Sequence, residues 1–150
     1  MATPQVINDI LQQAEALYRQ GDFARAAQLL SDGISEAPSA KLWNDWAAVQ
    51  VSLGQFQDAE RGFRAALQLD PCSTQAAENL GALLFARGCH AEAAPLLQQS
   101  LAGASPNVRQ VIEEMLAQCA ANGQASGPAA TLAPIAEASN RSPASAAEGS

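Results

Sequence analysis

The chain has 150 residues, of which 48% are apolar and 5% aromatic, and its 15 acidic and 8 basic residues give a net charge of −7 at pH 7. This length is typical of one domain. Phosphate binding needs clustered Lys and Arg, so the charge balance argues against a nucleic-acid partner. No apolar run approaches the roughly 20 residues that cross a bilayer, and the N-terminus MATPQVIND lacks the features of a secretory signal. We therefore expect a cytoplasmic protein that binds neither nucleic acid nor membrane.

The first apolar periodicity indicates a helix from Pro4 to Gln20. Thr3 is a suitable N-cap before the first-turn proline, and Gly21 is the residue type that closes a helix in the left-handed conformation. A second helical pattern runs from about Ala24 to Glu36 and ends before Pro38. Strand-like alternation is absent, so the sequence predicts an all-α protein.

The same order of signals then occurs twice more. A helix, Gly54, a helix and Pro71 fill residues 40–73, and a helix, Gly88, a helix and Pro106 fill residues 74–106. The glycines Gly21, Gly54 and Gly88 are 33 and 34 residues apart. A period of this length that contains two helices predicts a helical solenoid.

The middle repeat resembles the tetratricopeptide repeat family, through Trp43, Ala47, Gly54, Phe56, Ala59, Phe63, Ala66, Leu67 and Pro71. The first repeat matches at Ala14, Leu17, Gly21, Phe23, Ala26, Leu30, Ile34 and Pro38, and the third at Leu80, Gly81, Leu84, Gly88, Ala93, Leu97 and Leu101. Gln13, Gly33 and Gln50 depart from the family pattern. The resemblance implies an all-α, right-handed helical solenoid of three helix-turn-helix hairpins plus a capping helix.

The expected organisation is a repeat domain over residues 1–122 followed by a tail over residues 123–150. The repeats cover about 7–39, 40–73 and 74–106, and an amphipathic stretch at 107–122 is the predicted capping helix. Most of the tail is Ala, Ser, Pro or Gly, a composition that buries little apolar surface, so we expect it to be disordered.

No residue pattern indicates catalysis, a metal site or a cofactor. Cys72, Cys89 and Cys119 lack the paired spacings of zinc ligands, and phosphate-binding and hydrolase motifs are absent from the sequence. In Cys89-His90 a thiol and an imidazole are neighbours, but adjacent side chains point apart, so we interpret them as a half-buried histidine in a turn and an uninvolved thiol. Trp43 and Trp46 suit core packing better than an aromatic cage for a cation.

The resemblance places a partner-binding groove on the first helix of each hairpin. The groove positions carried over are Asn8, Gln12, Glu15, Tyr18 and Arg19; Lys41, Asn44, Asp45 and Ser52; and Gln75, Glu78, Asn79 and Phe85, with Leu11, Ala48, Val51, Ala82 and Ala86 beside them. Family members that hold acidic chaperone tails use a clamp of cations and amides, whereas Gln75 and Ala86 stand where a cation would be needed. We expect a neutral or basic segment to be favoured.

The sequence therefore predicts a monomeric, non-catalytic module that binds a peptide or helix of another protein. Two alternatives remain open. One is a scaffold or docking domain that serves a separate enzyme, such as a glycosyl- or methyltransferase. The other is a small chaperone of the secretion type.

Overall fold

The computed structural model describes residues 3–124, so the predicted tail lies almost wholly outside the described residues. Seven α-helices follow in chain order: α1 Pro4–Arg19, α2 Phe23–Glu36, α3 Ala40–Ser52, α4 Phe56–Leu69, α5 Thr74–Ala86, α6 His90–Ser100 and α7 Pro106–Gln124, with a 3₁₀ turn at Leu101–Gly103 before α7. No strand occurs between residues 3 and 124. The all-α prediction is confirmed.

Each hairpin turns at a glycine with a positive φ. Gly21, Gly54 and Gly88 have φ of 83°, 79° and 84°, the left-handed region that glycine enters without steric cost. The residue after each glycine donates its N–H to a carbonyl five residues earlier, at 2.9 Å for Asp22 to Leu17 and 2.8 Å for both Gln55 to Gln50 and Cys89 to Leu84. One turn chemistry is thus used three times, as the glycine spacing predicts.

Side-chain caps fix where the helices begin. The Thr3 hydroxyl accepts a hydrogen bond from the N–H of Val6 at 3.3 Å, and the Ser39 hydroxyl accepts one from Leu42 at 3.1 Å. Both are N-caps that the sequence predicts. Asp22 caps α2 in the same way through Arg25, so α2 begins one residue earlier than its apolar pattern indicates.

The residues divide into two compact units, and α1 to α4 form the first, which ends at Ser73. Its apolar core consists of Ala14, Ala26, Leu30, Leu42 and Val49. Small residues let the α3–α4 pair approach closely: a Cβ placed on Gly62 would lie 2.8 Å from the Ala47 Cβ and 2.9 Å from the Trp46 ring. In the same unit, α1, α2 and α3 contact one another.

The second unit contains α5, α6 and α7. Leu80, Leu84, Ala93 and Leu97 are buried, and α6 packs against both α5 and α7. The helix α7 starts one residue earlier and ends two residues later than the predicted cap at 107–122. Its Ile112 is 2% exposed whereas Val111 is 54% exposed. The apolar stripe of the sequence is therefore wider than the face that α7 buries.

A helix must be both long and apolar to cross a bilayer. None between residues 3 and 124 combines the length and the apolar character required to cross it.

Replacing Gly81 by alanine tests the close approach of α5 and α6. The added methyl group would lie 2.9 Å from Leu97 side-chain carbons and 3.3 Å from the Leu97 backbone nitrogen, so α6 itself must move. Overpacking costs about 1–3 kcal/mol, against about 1 kcal/mol gained from alanine's helix propensity. We expect Gly81→Ala to lower the free energy of unfolding by about 1 kcal/mol in urea denaturation. Gln98→Ala, at an exposed position of α6, is the control, and an unchanged or higher stability for Gly81→Ala would contradict the packing.

Candidate functional site

The first candidate site is the outer face of α1 and α3 in the first unit, which we call the α1/α3 face. The Tyr18 hydroxyl and the Ser52 hydroxyl lie 2.7 Å apart and share a hydrogen bond, which joins the C-terminal ends of the two helices. Tyr18 also packs against Phe23 with ring centroids 5.0 Å apart. The sequence predicts both hydroxyl residues as groove positions, and the structure brings them together.

The other predicted positions on α1 are exposed. Asn8, Gln12, Glu15 and Arg19 all lie at the surface, while Leu11 is half-buried and packs on the core. Tyr18 is 39% exposed, which leaves part of its ring and hydroxyl accessible to a ligand. Helix α1 therefore presents amides, one ion pair and one aromatic ring on this face.

On α3 the predicted positions are not equally accessible. Lys41 and Ser52 are exposed, Val51 is 36% exposed and Asp45 is half-buried. Asn44 is only 4% exposed, and its amide donates to an Asp45 carboxylate oxygen at 3.3 Å. A residue so enclosed offers little surface to a partner, although the sequence predicts Asn44 as a groove position.

Both cations on the α1/α3 face are paired within their own helices. Arg19 contacts the Glu15 carboxylate at 2.7 Å, and Lys41 lies 3.6 Å from the Asp45 carboxylate. Such exposed pairs contribute little stability. Their effect on recognition is larger, because each carboxylate offsets the positive charge that an acidic ligand would require.

In the second unit, α5 carries the remaining predicted positions. Gln75 is exposed, whereas Glu78, Asn79 and Phe85 are half-buried. The Phe85 ring meets the His90 ring edge to face, with centroids 5.0 Å apart and an interplanar angle of 82°. Part of Phe85 is therefore engaged in packing within its own unit.

The rings of Trp43 and Trp46 are not parallel to each other. They meet edge to face, 5.7 Å apart at 87°, and Trp46 packs on the apolar core beside Gly62. This arrangement agrees with the core-packing interpretation and differs from a cage that encloses a cation.

A second cluster consists of His90, Cys119 and Asn122, and we call it the histidine cluster. The sequence does not predict it. The His90 Nδ1 lies 3.7 Å from the Cys119 Sγ, and the His90 Nε2 lies 3.0 Å from the Asn122 Nδ2. His90 is 3% exposed and Cys119 is 5% exposed. The thiol that contacts the imidazole comes from α7, 29 residues away, and the neighbouring Cys89 is half-buried.

The histidine cluster has the residue types of a nucleophile, a base and a group that orients the base. Burial works against that chemistry, because it lowers the pKa of the His90 imidazole and raises the pKa of the Cys119 thiol. Both shifts favour a neutral pair at pH 7, whereas a nucleophilic cysteine requires a thiolate. The cluster joins α6 to α7, and its protonation state differs from that of an activated cysteine.

A protein metal site needs several ligating side chains close together. Between residues 3 and 124, no three His, Cys, Asp or Glu side chains come together as metal ligands.

Residues 44–108 match the family profile described as Tetratricopeptide repeat. This segment is similar to tetratricopeptide repeats, and the resemblance predicted from the sequence is confirmed. The matched segment includes α4, α5 and α6 together with most of α3. No curated protein is significantly similar in sequence to this chain.

Solved tetratricopeptide-repeat structures share the fold. The chaperone SycD of Yersinia enterocolitica type III secretion is 15% identical, with a TM-score of 0.73 over 83% of this chain and 90% of that one. The first repeat domain of Spaghetti (RPAP3), bound to the HSP90 peptide SRMEEVD, is 20% identical, with a TM-score of 0.72 over 81% and 100% of the two chains. These likenesses establish the fold, and the predicted fold class is confirmed.

Two further structures are relevant to function. SycD in complex with a peptide of the translocator YopD is 14% identical, with a TM-score of 0.69 over 79% of this chain and 95% of that one. A Thermobaculum terrenum O-GlcNAc transferase mutant is 24% identical, with a TM-score of 0.60 over 67% of this chain and 20% of that one. In the transferase, the similarity covers a small part of a much larger chain.

Thiol labelling tests the protonation state of the histidine cluster. Cys72 is exposed, Cys89 is half-buried and Cys119 is buried with a raised pKa. We expect Cys119 to be alkylated at least about tenfold more slowly than Cys72 at pH 7.5 and to reach the same rate in denaturant, because only the thiolate reacts. Peptide mapping with isotope-coded iodoacetamide measures the three rates. Fast labelling of Cys119 at pH 6 would indicate a thiolate–imidazolium pair and contradict the neutral pair.

Proposed function

We propose that this protein is a non-catalytic interaction module that binds a segment of a partner protein on the α1/α3 face. The observation that carries the proposal is the composition of this face: accessible amides on α1, with Tyr18, Val51 and Ser52 adjoining at its end. Amides pair with a peptide backbone as both donor and acceptor. Two similar structures, those of Spaghetti and SycD, were solved with peptides, which supports the binding of a protein segment.

The half-buried Asn79 and the exposed Gln75 of α5 extend the proposal to the second unit, where they present polar groups of the same kind. Glu78 adds a carboxylate there. Within the second unit, α5 is thus proposed to bind a protein segment through the same chemistry.

A neutral or basic segment is the proposed partner. Arg19 and Lys41 are the cations on the α1/α3 face, and each has a carboxylate neighbour, Glu15 and Asp45 respectively. An acidic tail would have to displace these carboxylates or leave its own charges unpaired. A segment with Lys or Arg meets no such obstacle, and the net charge of −7 favours its approach.

The non-catalytic part of the proposal is supported by the burial of the histidine cluster, the nearest approach to a nucleophile–base pair among residues 3–124. A neutral thiol enclosed by α6 and α7 offers neither a thiolate nor access to a substrate. We further propose a cytoplasmic monomer, consistent with the three free thiols and the acidic composition.

Two alternatives rest on particular likenesses. The match to SycD favours a chaperone that holds a secreted partner, since it covers 90% of that chain. The match to the O-GlcNAc transferase favours a docking domain for a separate glycosyltransferase, since similar repeats there form part of an enzyme. Both alternatives use a protein-binding face and differ from the leading proposal in the partner.

An aspartate in place of Val51 tests the α1/α3 face. A peptide ligand is first selected from a displayed random library, and its affinity is measured by fluorescence anisotropy. We expect Val51→Asp to weaken binding at least about tenfold, since burying an unpaired charge costs more than the roughly 1.4 kcal/mol that tenfold represents. Val111→Asp is the matched control, because Val111 is an exposed valine on α7. Equal effects of the two substitutions would contradict binding at this face.

A charge reversal at Glu15 tests the preference for basic segments. We expect Glu15→Lys to slow association of a Lys-rich selected peptide several-fold at low salt, with the difference shrinking as ionic strength rises. Glu36→Lys is the control, since it changes the net charge equally at the exposed end of α2. Stopped-flow fluorescence gives the association rates. Identical rates for the two variants would mean that the carboxylates of α1 do not select the ligand.

A further inference from the structure

The histidine cluster is unusual because it places a titratable ring in the contact between the last hairpin and the capping helix. Both ring nitrogens of His90 are engaged by α7, one by Cys119 and the other by Asn122. Between residues 106 and 122, α7 fully buries Ile112 and Cys119, and Val108, Met115 and Leu116 are half-buried. The histidine cluster therefore supplies the polar contacts between α6 and the C-terminal half of α7, beside the apolar contacts of that half.

The hydrogen-bond pattern is that of a neutral imidazole. The Asn122 Nδ2 is a donor, so the Nε2 that faces it at 3.0 Å is the acceptor, and the ring proton resides on Nδ1, which faces the Cys119 Sγ. A second proton on Nε2 would set two donors against each other. Rotation of the Asn122 amide would present its oxygen instead, but the ring charge would remain buried.

The side chains of α5 and α7 that contact His90 carry no negative charge, and the one acidic residue in the first turn of α6 is Glu92, which is exposed. The element α5 contributes the uncharged ring of Phe85, and α7 contributes a thiol that burial keeps neutral and an amide. His90 is also the first residue of α6, where the helix dipole is positive and disfavours a cation. Attraction of an imidazolium to the Phe85 ring is smaller than the cost of removing an ion from water.

We propose that His90 is a proton-operated latch: protonation of its ring releases the C-terminal half of α7 from α6. Release exposes the ring to water, which removes the cost of the buried charge. It also uncovers the face of α6 that α7 occupies, so that acidification changes the surface this end of the protein presents.

The direction of the pH dependence follows from linkage. Burial lowers the pKa of His90 from the ordinary value of 6.5, so the released state binds more protons than the docked state. Docking is therefore full above about pH 6.5 and weakens as the pH falls from there toward the lower pKa of the docked ring. One proton per release event changes the docking equilibrium by up to about tenfold per pH unit within this window.

Hydrogen exchange of the full chain, without a histidine tag, tests the latch. Amide protection factors of peptides that cover residues 113–124 are compared at pH 7.5 and pH 5.5, on the two sides of the ordinary histidine pKa. We expect protection in α7 to fall by up to about tenfold while peptides from α3 keep theirs. The same protection in α7 at both pH values overturns the proposal.

His90→Gln is the decisive variant, because glutamine retains a donor and an acceptor and does not titrate. We expect its α7 protection to be the same at pH 7.5 and pH 5.5, and a fall equal to that of the unmodified protein overturns the latch. His90→Phe serves the same purpose if the glutamine variant does not fold.

A direct readout exists because His90 is the one histidine in the chain. Its ring carbon–proton signal in ¹H–¹³C spectra reports the titration without assignment ambiguity. The proposal requires the ring titration and the loss of α7 protection to share one midpoint below pH 6.5. Ring titration without loss of protection would show that the charge is accommodated in the docked state, and would overturn the latch.

Discussion

Close contact between helix backbones, made possible by residues without bulky side chains, is the constraint on which this fold depends. Added Cβ atoms would overlap Trp46 and Ala47 at Gly62, and Leu97 at Gly81. Because the helices lie so near to each other, large side chains such as Phe63 and Leu80 fill the remaining space and are almost fully buried. The polar and charged residues are thereby left on the outer faces, where a partner protein can reach them.

Most of this architecture was predictable from local signals. The turn glycines, the caps at Thr3 and Ser39 and the helix periodicity each act within a few residues, and the structure contains all of them. Accessibility was harder to predict, since Asn44 lies on a candidate binding helix and is nevertheless enclosed. Helical spacing predicts on which face of its own helix a side chain lies. Its burial depends on which residues of the neighbouring helices pack against that face.

The histidine cluster was not predictable for a related reason. In the sequence, the thiol next to His90 is that of Cys89. In the structure, the thiol that contacts the ring is that of Cys119 and the amide is that of Asn122, which are 29 and 32 residues away. A signal was present in the spacing of Cys119 and Asn122, which lie three apart on one face of α7. Recognising it requires knowledge that α7 folds back onto the start of α6, which is a tertiary fact.

The two units differ in what holds their helices together. The first unit has an apolar core cluster that includes Ala14, Leu30 and Leu42, and the burial of such residues is insensitive to pH in the neutral range. The attachment of α7 in the second unit adds a neutral imidazole and a neutral thiol, whose burial is favourable only while both remain uncharged. A polar cluster of this kind specifies one position for the capping helix more strictly than apolar contacts do, since its hydrogen bonds are directional. The same property makes the end of the repeat array responsive to protons, while the α1/α3 face retains its structure.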